Sequence, residues 1–393
     1  RYQIIGIGMD QLIEEQVQTA DGEVLYFSRY EYDQRGNVVL VQTGESITKT
    51  EYNSRNEPIT ITDALGHQTH ISYDISFINE QGQQVLKKST TDPLGYKTVE
   101  IFDTAGRLKE SARFNPIGVK VARQIFSYDL VGNQVKREEE VIEEGEVKRS
   151  IVNLFEYNSM NQITKTIEGA GTAEAKTTTV LYNSHGQEGA LFKPNGKNLH
   201  YIYDRFGRLK ACLSSDGSIE VHYNYNQLDQ ITSVWDAKTN ATTSREYQDD
   251  TLKKEILCSG LWIEYSYDRA GRIRTMTLPD GTGVEYVYHG IYLKEIHRIV
   301  NGNRVYTHTN MSHSLSGQVK QMNLPGKSGG ISYQFDSLDR CTLIESPSFL
   351  QHIPGDGFDP AGNLVKCSIQ AAPYRFDYDD NYQLKSEKGH EEH

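Results

Sequence analysis

The stretch Tyr203-Asp204-Arg205-Phe206-Gly207-Arg208-Leu209 sets the architecture of the chain, because versions of it return along most of the sequence. It predicts a strand that ends on an aromatic residue, a tight turn and a second strand. Asp204 suits the first position of a type I turn, where its carboxylate accepts backbone N–H groups. Gly207 suits the left-handed position that closes a short hairpin loop with a bulge. We therefore predict a hairpin corner, and call this pattern the box.

Each copy of the box opens on an aromatic residue, called its anchor, followed by Asp or Asn. Six strong copies also keep the glycine, and they are Tyr32-Asp33 with Gly36, Phe102-Asp103 with Gly106, Tyr128-Asp129 with Gly132, Tyr203-Asp204 with Gly207, Tyr267-Asp268 with Gly271, and Phe358-Asp359 with Gly362. Weaker copies trade residues that tolerate the left-handed conformation, and they are Tyr52-Asn53 with Asn56, Tyr157-Asn158 with Asn161, Tyr182-Asn183 with Gly186, Tyr225-Asn226 with Asp229, Phe335-Asp336 with Asp339, and Tyr378-Asp379 with Tyr382. Tyr73, Tyr247, Tyr288 and His313 anchor four degenerate copies.

The anchors recur about every 23 residues, which is typical of a repeat architecture whose units pack on their neighbours. Second turn signals stand between anchors, at Asp63-Ala64-Leu65-Gly66, Asp92-Pro93-Leu94-Gly95, Asn195-Gly196, Asp216-Gly217 and Asp280-Gly281. Each repeat is thus predicted to hold two turns and two strands of roughly 7–10 residues. We expect residues 1–393 to form one array of about sixteen repeats, an all-β, curved or spiralling antiparallel sheet of about 32 strands.

The Tyr-Asp-x-x-Gly-(Arg/Asn)-(Leu/Val) pattern, with Asp-Pro-Leu-Gly between boxes, resembles the YD repeat of the Rhs family. That family includes bacterial polymorphic toxins, the C components of insecticidal toxin complexes and the teneurins. The resemblance covers about residues 24–384 and implies that the box residues are structural, in the wall of a β-shell. Toxin-type members carry a self-cleaving Arg-x-Tyr-Asp-Pro core, and this chain shares only Asp92-Pro93 and Asp359-Pro360 with it. No catalytic residue is therefore carried over, and a fragment of a larger protein is favoured over a short divergent member.

Composition narrows the function classes. The net charge of −12 and a pI near 5.5 argue against nucleic acid as a partner, because no basic stripe could neutralise phosphates. The sequence has no apolar run long enough for a membrane span and no signal peptide. Its 25 tyrosines among only 37% hydrophobic residues suit a thin sheet wetted on both faces. Cys212, Cys258, Cys341 and Cys367 show neither metal spacing nor a disulfide framework.

Three stretches stand outside the regular pattern. Residues 1–31 begin inside a strand-like pattern, with Asp21-Gly22 as the first turn. The charged run 136–149 is expected to be one extended hairpin with its turn at Gly145, whose charges blunt an exposed sheet edge. Residues 324–330 are expected to be a flexible loop, and residues 388–393 a polar, frayed end.

Candidate catalytic and metal residues are few. His67 and His70 would point to opposite faces of a strand, and no third ligand follows at a useful spacing. His390-Glu391-Glu392-His393 lacks zinc-protease spacing, and Asp356-Gly357-Phe358-Asp359-Pro360 lacks the oxygen ligands of a calcium loop. Asn240-Ala241-Thr242 and Asn310-Met311-Ser312 fit a glycosylation pattern that is short enough to arise by chance. We expect no enzyme activity, no cofactor and no metal.

The resemblance leaves two functions open. Like bacterial Rhs and toxin-complex proteins, the repeats would wind into a hollow β-cage that encloses a toxin or effector cargo encoded elsewhere, with the remaining shell segments as partners. Like teneurins and wall-associated proteins, they would form a rigid extracellular module that binds a receptor or glycan. Either function implies a secreted or cell-surface protein, with a bacterial source favoured and the export signal outside this segment. Flanking sequence would discriminate between the two.

Overall fold

The computed structural model describes residues 2–6, 11–324 and 329–389, and these residues contain strands and turns but no helix. The expected flexible loop therefore lies mostly outside the described residues, at 325–328, and the polar tail does so at 390–393. No helix of the described part is available to span a membrane. The prediction of an all-β protein is confirmed.

The sheet has 34 strands. The first seventeen are β1 Tyr2–Gly6, β2 Leu12–Gln18, β3 Val24–Tyr32, β4 Val38–Thr43, β5 Ser46–Tyr52, β6 Pro58–Thr62, β7 Gln68–Ile78, β8 Gln84–Thr91, β9 Lys97–Phe102, β10 Leu108–Phe114, β11 Lys120–Tyr128, β12 Gln134–Glu143, β13 Glu146–Tyr157, β14 Ile163–Glu168, β15 Lys176–Tyr182, β16 Glu188–Phe192 and β17 Leu199–Tyr203. The others are β18 Leu209–Ser214, β19 Glu220–Tyr225, β20 Ile231–Asp236, β21 Ala241–Gln248, β22 Thr251–Ile256, β23 Trp262–Tyr267, β24 Ile273–Thr277, β25 Gly283–His289, β26 Tyr292–Val300, β27 Asn303–His313, β28 Val319–Asn323, β29 Gly330–Phe335, β30 Cys341–Ser346, β31 Phe349–His352, β32 Lys366–Ile369, β33 Ala372–Tyr378 and β34 Leu384–Lys388.

Every strand pairs antiparallel with the next one in the sequence, so the chain is a continuous meander. Within the repeats the pairing is well exemplified by β17 with β18 and by β18 with β19. Strand lengths run from 4 residues in β31 to 12 in β13, so the predicted 7–10 residues were too long for most repeats. The reason is that each box turn and each intervening turn takes several residues of a step of about 23.

Regular β-bulges bend the sheet. In β17 and β18 the register shifts between Ile202 and Tyr203, directly beside the box, and the same shift recurs beside Tyr225 and Tyr267. A bulge bends its strand and increases the local twist. Because the shift recurs at one end of successive hairpins, the bends accumulate in one direction and the ribbon curves.

The interior is thin. Fewer than ten described apolar residues are fully buried, among them Leu25, Ala112 and Ala211, while large apolar side chains such as Phe206 and Leu228 remain exposed. The small buried alanines lie where cross-strand neighbours crowd, as Ala211 does between Ile202 and His222. Stability therefore rests on the hydrogen-bond ladders and cross-strand pairs more than on a two-layer core.

The sheet winds back on itself. Residues that touch across the winding are between 265 and 290 residues apart, as Asn115 and Asp380 or Asp92 and Tyr382 are. The start of β3 meets the start of β26, twenty-three strands further along. The turn after β8 meets the turn after β33, twenty-five strands further along. One coil thus takes about 24 strands. The chain goes round more than the single turn that its ribbon length predicted.

Candidate functional site: two turn rims and the seam between coils

Turns line the two long edges of the ribbon. The turns that follow odd-numbered strands carry the boxes, and we call this edge the box rim. The turns that follow even-numbered strands, such as residues 19–23, 43–46 and 92–96, form the plain rim. All sixteen described box-rim turns lie one after another along the same edge.

The box residues hold the turn in the way its chemistry suggested. Asp204 Oδ1 accepts the backbone N–H groups of Phe206 and Arg208 at 2.9 and 3.0 Å, and Gly207 has φ +81°. Asp204 Oδ2 accepts from Arg208 Nε at 2.7 Å. The box therefore contains a second charge pair, in which the fifth box residue grips the aspartate that begins it.

The other strong boxes share this geometry. Asp33, Asp103, Asp129, Asp268 and Asp359 each accept the N–H groups two and four residues later through Oδ1. Gly36, Gly106, Gly132, Gly271 and Gly362 all have positive φ. In the weaker boxes Asn56, Asn161, Asp229, Asp339 and Tyr382 take the same conformation, with φ between 58° and 63°. Arg272 and its backbone N–H hold the pKa of the Asp268 carboxyl below its usual value.

The copy assigned to Tyr73 was wrong. Strand β7 runs through Tyr73 to Ile78, and the turn is made by Asn79, whose Oδ1 accepts the N–H groups of Gln81 and Gln83, with Gly82 at φ +73°. Two features hid it, since Tyr73-Asp74 imitates the opening of a box and the true turn opens on an aliphatic residue. The Asn-x-x-Gly spacing at Asn79 was the signal that could have found it.

The other degenerate copies differ in their turns. Tyr247 and Tyr288 are followed by two-residue turns, with Asp249 at φ +52° and Gly290 at φ +58°. The copy at His313 keeps the box but uses Ser314, whose hydroxyl accepts the N–H of Gln318. The charged hairpin turns at Glu144 and Gly145, both with positive φ, as expected for the run 136–149.

Each anchor tyrosine also reaches the preceding hairpin. Tyr225 donates its hydroxyl to the carbonyl of Leu209 at 2.7 Å, and Tyr203 donates to Glu188 at 2.9 Å. Eleven of the twelve tyrosine anchors make this bond, the exception being Tyr73, and the others are Tyr32, Tyr52, Tyr128, Tyr157, Tyr182, Tyr247, Tyr267, Tyr288 and Tyr378. The ladder between β18 and β19 covers only Ala211–Leu213, so the hydroxyl satisfies a carbonyl that no strand partner reaches. We call this row the tyrosine ladder.

The fifth box residue links neighbouring boxes as well. Arg208 donates through Nη1 to the carbonyl of Asn226 at 3.1 Å, and its guanidinium lies 4.7 Å from the ring centre of Tyr225. Gln187 does the same through its amide to the carbonyl of Gly207 at 2.6 Å. Each box is thus tied to the next by one tyrosine and one polar side chain, which makes the box rim a continuous chain of contacts.

A seam joins the plain rim of the first coil to the box rim of the second. Tyr292 donates its hydroxyl to the carbonyl of Leu25 at 2.9 Å, and Phe27 donates its N–H to the carbonyl of Leu315 at 3.2 Å. The ring of His313 stacks on Tyr292 at 4.4 Å, and burial lowers the pKa of His313.

A second cluster closes the seam further along. Tyr382 donates its hydroxyl to Asp92 Oδ2 at 2.6 Å, and Tyr96 donates to Asp380 Oδ1 at 2.9 Å. The guanidinium of Arg113 lies over both rings, 4.8 Å from Tyr96 and 4.3 Å from Tyr382. Burial, followed by the Asp92 carboxylate, raises the pKa of Tyr382 well above its usual value. These five side chains form an interlocked contact between two coils, which we call the seam clasp.

The residues once weighed for chemistry have structural partners here. His67 Nδ1 lies 3.0 Å from Asp63 Oδ2, where it takes the place of the fifth box residue in a plain-rim turn. His70 pairs with Thr60 and Thr91 in neighbouring strands. Asp356 pairs with Lys366, and Asp359 belongs to a box. The described residues contain no His, Cys, Asp and Glu group suited to a metal ion, and the four cysteines are free.

Comparison with known proteins fits this geometry. The teneurin YD-shell family profile matches residues 135–348, which is more than half of the chain. The chain belongs to this family. A search of curated proteins gave no match. The YD-shell assignment confirms the family resemblance carried by the boxes.

Solved structures share the fold over nearly the whole chain. The crystal structure of TcdB2-TccC3 without its hypervariable C-terminal region superposes with a TM-score of 0.77 at 13% identity, over 98% of this chain. The TcdB2-TccC3-Cdc42 structure gives a TM-score of 0.78 at 14% identity, over the same 98% of this chain. The chain spans about a quarter of those chains, since it covers 23% of each. This YD-shell chain is thus a segment of a curved shell wall.

Proposed function

We propose that this YD-shell segment is part of the wall of a hollow β-cage that encloses a polypeptide cargo encoded outside residues 1–393. The observation that carries the proposal is the seam. A ribbon whose plain rim meets its own box rim after about 24 strands encloses a lumen, whereas a flat or gently bowed adhesive sheet would not.

The size of the lumen suits a polypeptide. About 24 strands spaced about 4.8 Å apart give a circumference of about 115 Å and a diameter of about 37 Å, before strand tilt widens it. A wall about 10 Å thick leaves a lumen about 25 Å across. That is the scale of a very small domain or a compact unfolded chain, since a domain of about 100 residues has a radius of gyration of about 13 Å.

The chemistry of the segment supports a wall without its own catalysis. Box aspartates such as Asp204 and Asp268 spend their oxygens on turn N–H groups and arginines. The anchor hydroxyls spend their protons on backbone carbonyls. We propose that residues 1–393 form one repeat array with no enzyme activity, in a secreted or cell-surface protein whose other shell segments complete the cage.

Electron microscopy of the intact parent protein tests the proposal. A closed cavity at least about 20 Å across that contains density assignable to another part of the polypeptide is the expected result. An open spiral with an empty lumen, together with binding of a receptor or glycan on the outer face, would overturn it in favour of an adhesive module.

A further inference from the structure

Two grooves on the box rim of the second coil are covered by turns of the first. The first is a cavity of about 290 Å³ between the boxes of Tyr288 and His313, bordered by Glu23 and Leu25 of the plain rim. The second is a cavity of about 510 Å³ between the boxes of His313 and Phe335, bordered by Glu45 of the plain rim. In this molecule, a groove between consecutive boxes is therefore a place where a hairpin tip of another coil sits.

Both tips have the same two features. Each brings a carboxylate towards a basic side chain, since Glu23 Oε2 lies 3.7 Å from His289 Nε2 and Glu45 shares its cavity with Lys320. The contact is also close at the backbone. Gly44, the buried neighbour of Glu45, has φ +58°, and a Cβ there would lie 3.0 Å from the backbone nitrogen of Ser316. A glycine beside an acidic residue is what such a groove accepts.

A third groove of the same type has no tip. It is a cavity of about 620 Å³ between the boxes of Tyr182 and Tyr203, and all its lining residues fall between 183 and 207, within one coil. We call it the free groove. Tyr201 lines it two residues before its anchor, as Tyr333 lines the second covered groove two residues before Phe335. Its position in the repeat is thus the position that two other grooves use for docking.

The free groove is exposed, apolar and basic. Phe206 is 66% exposed and Ile202 is 47% exposed at its edge. Arg205 and His185 also line it, and the guanidinium of Arg205 lies 4.7 Å from the ring centre of Phe206. A guanidinium beside an aromatic face binds a carboxylate while the ring packs against the neighbouring backbone. The charge is the same as that which faces Glu23 and Glu45 in the covered grooves.

We propose that the free groove binds an acidic β-hairpin tip, with a glutamate beside a glycine, from a further coil of YD repeats outside residues 1–393. The inference rests on the proposed wall function, because it names the contact by which the next coil continues the cage. Arg205 and His185 receive the carboxylate, Phe206 and Ile202 cover the apolar side of the turn, and the glycine lets the tip approach the Ser184 backbone.

Disulfide trapping on the full chain tests this contact. The probe is a head-to-tail cyclised hairpin peptide with the sequence of residues 40–49, carrying cysteine in place of Ser46 so that Gly44 and Glu45 are kept. The chain carries Ser184→Cys at the free groove and Cys258→Ser to remove its exposed thiol. The unmodified chain is the matched control, because its Cys258 is exposed in a turn of the opposite, plain rim.

The expected result is preferential trapping at Ser184→Cys over Cys258 under the same redox buffer. Arg205→Glu in the chain, or Glu45→Gln in the peptide, is expected to lower the yield about twofold to fivefold, the effect of losing one exposed ion pair. Far-UV circular dichroism confirms that the exposed substitutions leave the sheet folded. Equal trapping at both rims, or a yield that ignores Arg205→Glu, would overturn the docking contact. A cavity with cargo in the parent protein would still stand in that case, so the two proposals fail separately.

Discussion

The hydroxyl of Tyr225 donates a 2.7 Å hydrogen bond to the backbone carbonyl of Leu209, the first residue of a strand in the preceding hairpin. This contact repeats along the box rim and replaces ladder bonds where two hairpins diverge. It makes neighbouring repeats interdependent, because each box needs the anchor of the next one to satisfy its first strand carbonyl.

Tyr225→Phe is therefore expected to lower stability by about 1 kcal/mol, the usual cost of leaving a partly buried backbone group unpaired. Thermal melts followed by circular dichroism measure the shift. Tyr223→Phe is the matched control, since Tyr223 lies on the same strand and no hydrogen bond to a carbonyl of the preceding hairpin is recorded for it. Equal melting temperatures for Tyr225→Phe and the parent would show that water satisfies Leu209 equally well.

The left-handed box glycines provide a second test, and Gly271 isolates the backbone effect. Gly271 has φ +78°, and a Cβ there would meet no atom within 4 Å. Gly271→Ala is expected to destabilise by about 1 kcal/mol, and Gly271→Val by about 1–3 kcal/mol, because side chains disfavour this conformation. Gly355→Ala is the control, since Gly355 has equally open surroundings without a positive φ. If both alanine variants melted alike, the conformational explanation would be wrong.

Acid should weaken the boxes. The hydrogen bond from Arg272, and then those from the turn backbone, lower the pKa of Asp268, and the Asn133 amide does the same for Asp129. A carboxyl whose pKa is lower in the folded state stabilises fully above its unfolded pKa of about 4 and loses this contribution as the pH falls through the folded value. The melting temperature should thus be level from about pH 7 to 5 and fall below about pH 4.

Asp268→Asn tests the assignment of that acid transition. The variant should melt lower than the parent at pH 7, and its melting temperature should fall less between pH 4 and 2. A parent whose melting temperature already drops between pH 7 and 5 would instead implicate histidines, such as His313 at the seam.

Local turn chemistry explains why most of the fold was predictable from the sequence. Asp204 and Gly207 act within five residues of each other, so their spacing alone predicts the turn, and the same holds for fifteen of the sixteen anchors. Tyr73 misled because a tyrosine followed by aspartate within a long strand looks like a box. The tyrosine ladder was missed because Tyr225 and Leu209 belong to different repeats and the sequence names only the donor.

The seam was beyond sequence reasoning for a different reason. Asp92 and Tyr382 meet only because about 24 strands complete a coil, and that number depends on the summed bends of many bulges. A small change of bend per hairpin would bring another turn opposite Asp92. The free groove follows from the same winding, since its role is visible only by comparison with grooves that the seam has covered.

The seam clasp supplies the last prediction, because it holds two coils together through five side chains. Arg113 lies over Tyr96 and Tyr382 and 3.6 Å from Asp92, and Tyr382 in turn donates to Asp92. Arg113→Leu keeps a bulky side chain but removes the charge and both ring contacts. We expect hydrogen exchange to accelerate around residues 92–116 and 379–383, while exchange in β17 to β20 stays unchanged.

Tyr382→Phe separates the parts of the clasp. It retains the ring under Arg113 and removes only the bond to Asp92, so its exchange should rise less than that of Arg113→Leu. Arg123→Leu is a matched control, since Arg123 pairs with Glu110 and Glu140 on adjacent strands and makes no contact across the seam. Its effect should remain within β10 to β12. Uniformly faster exchange along the whole chain in Arg113→Leu would mean that the coils unfold as one unit and that the seam has no stability of its own.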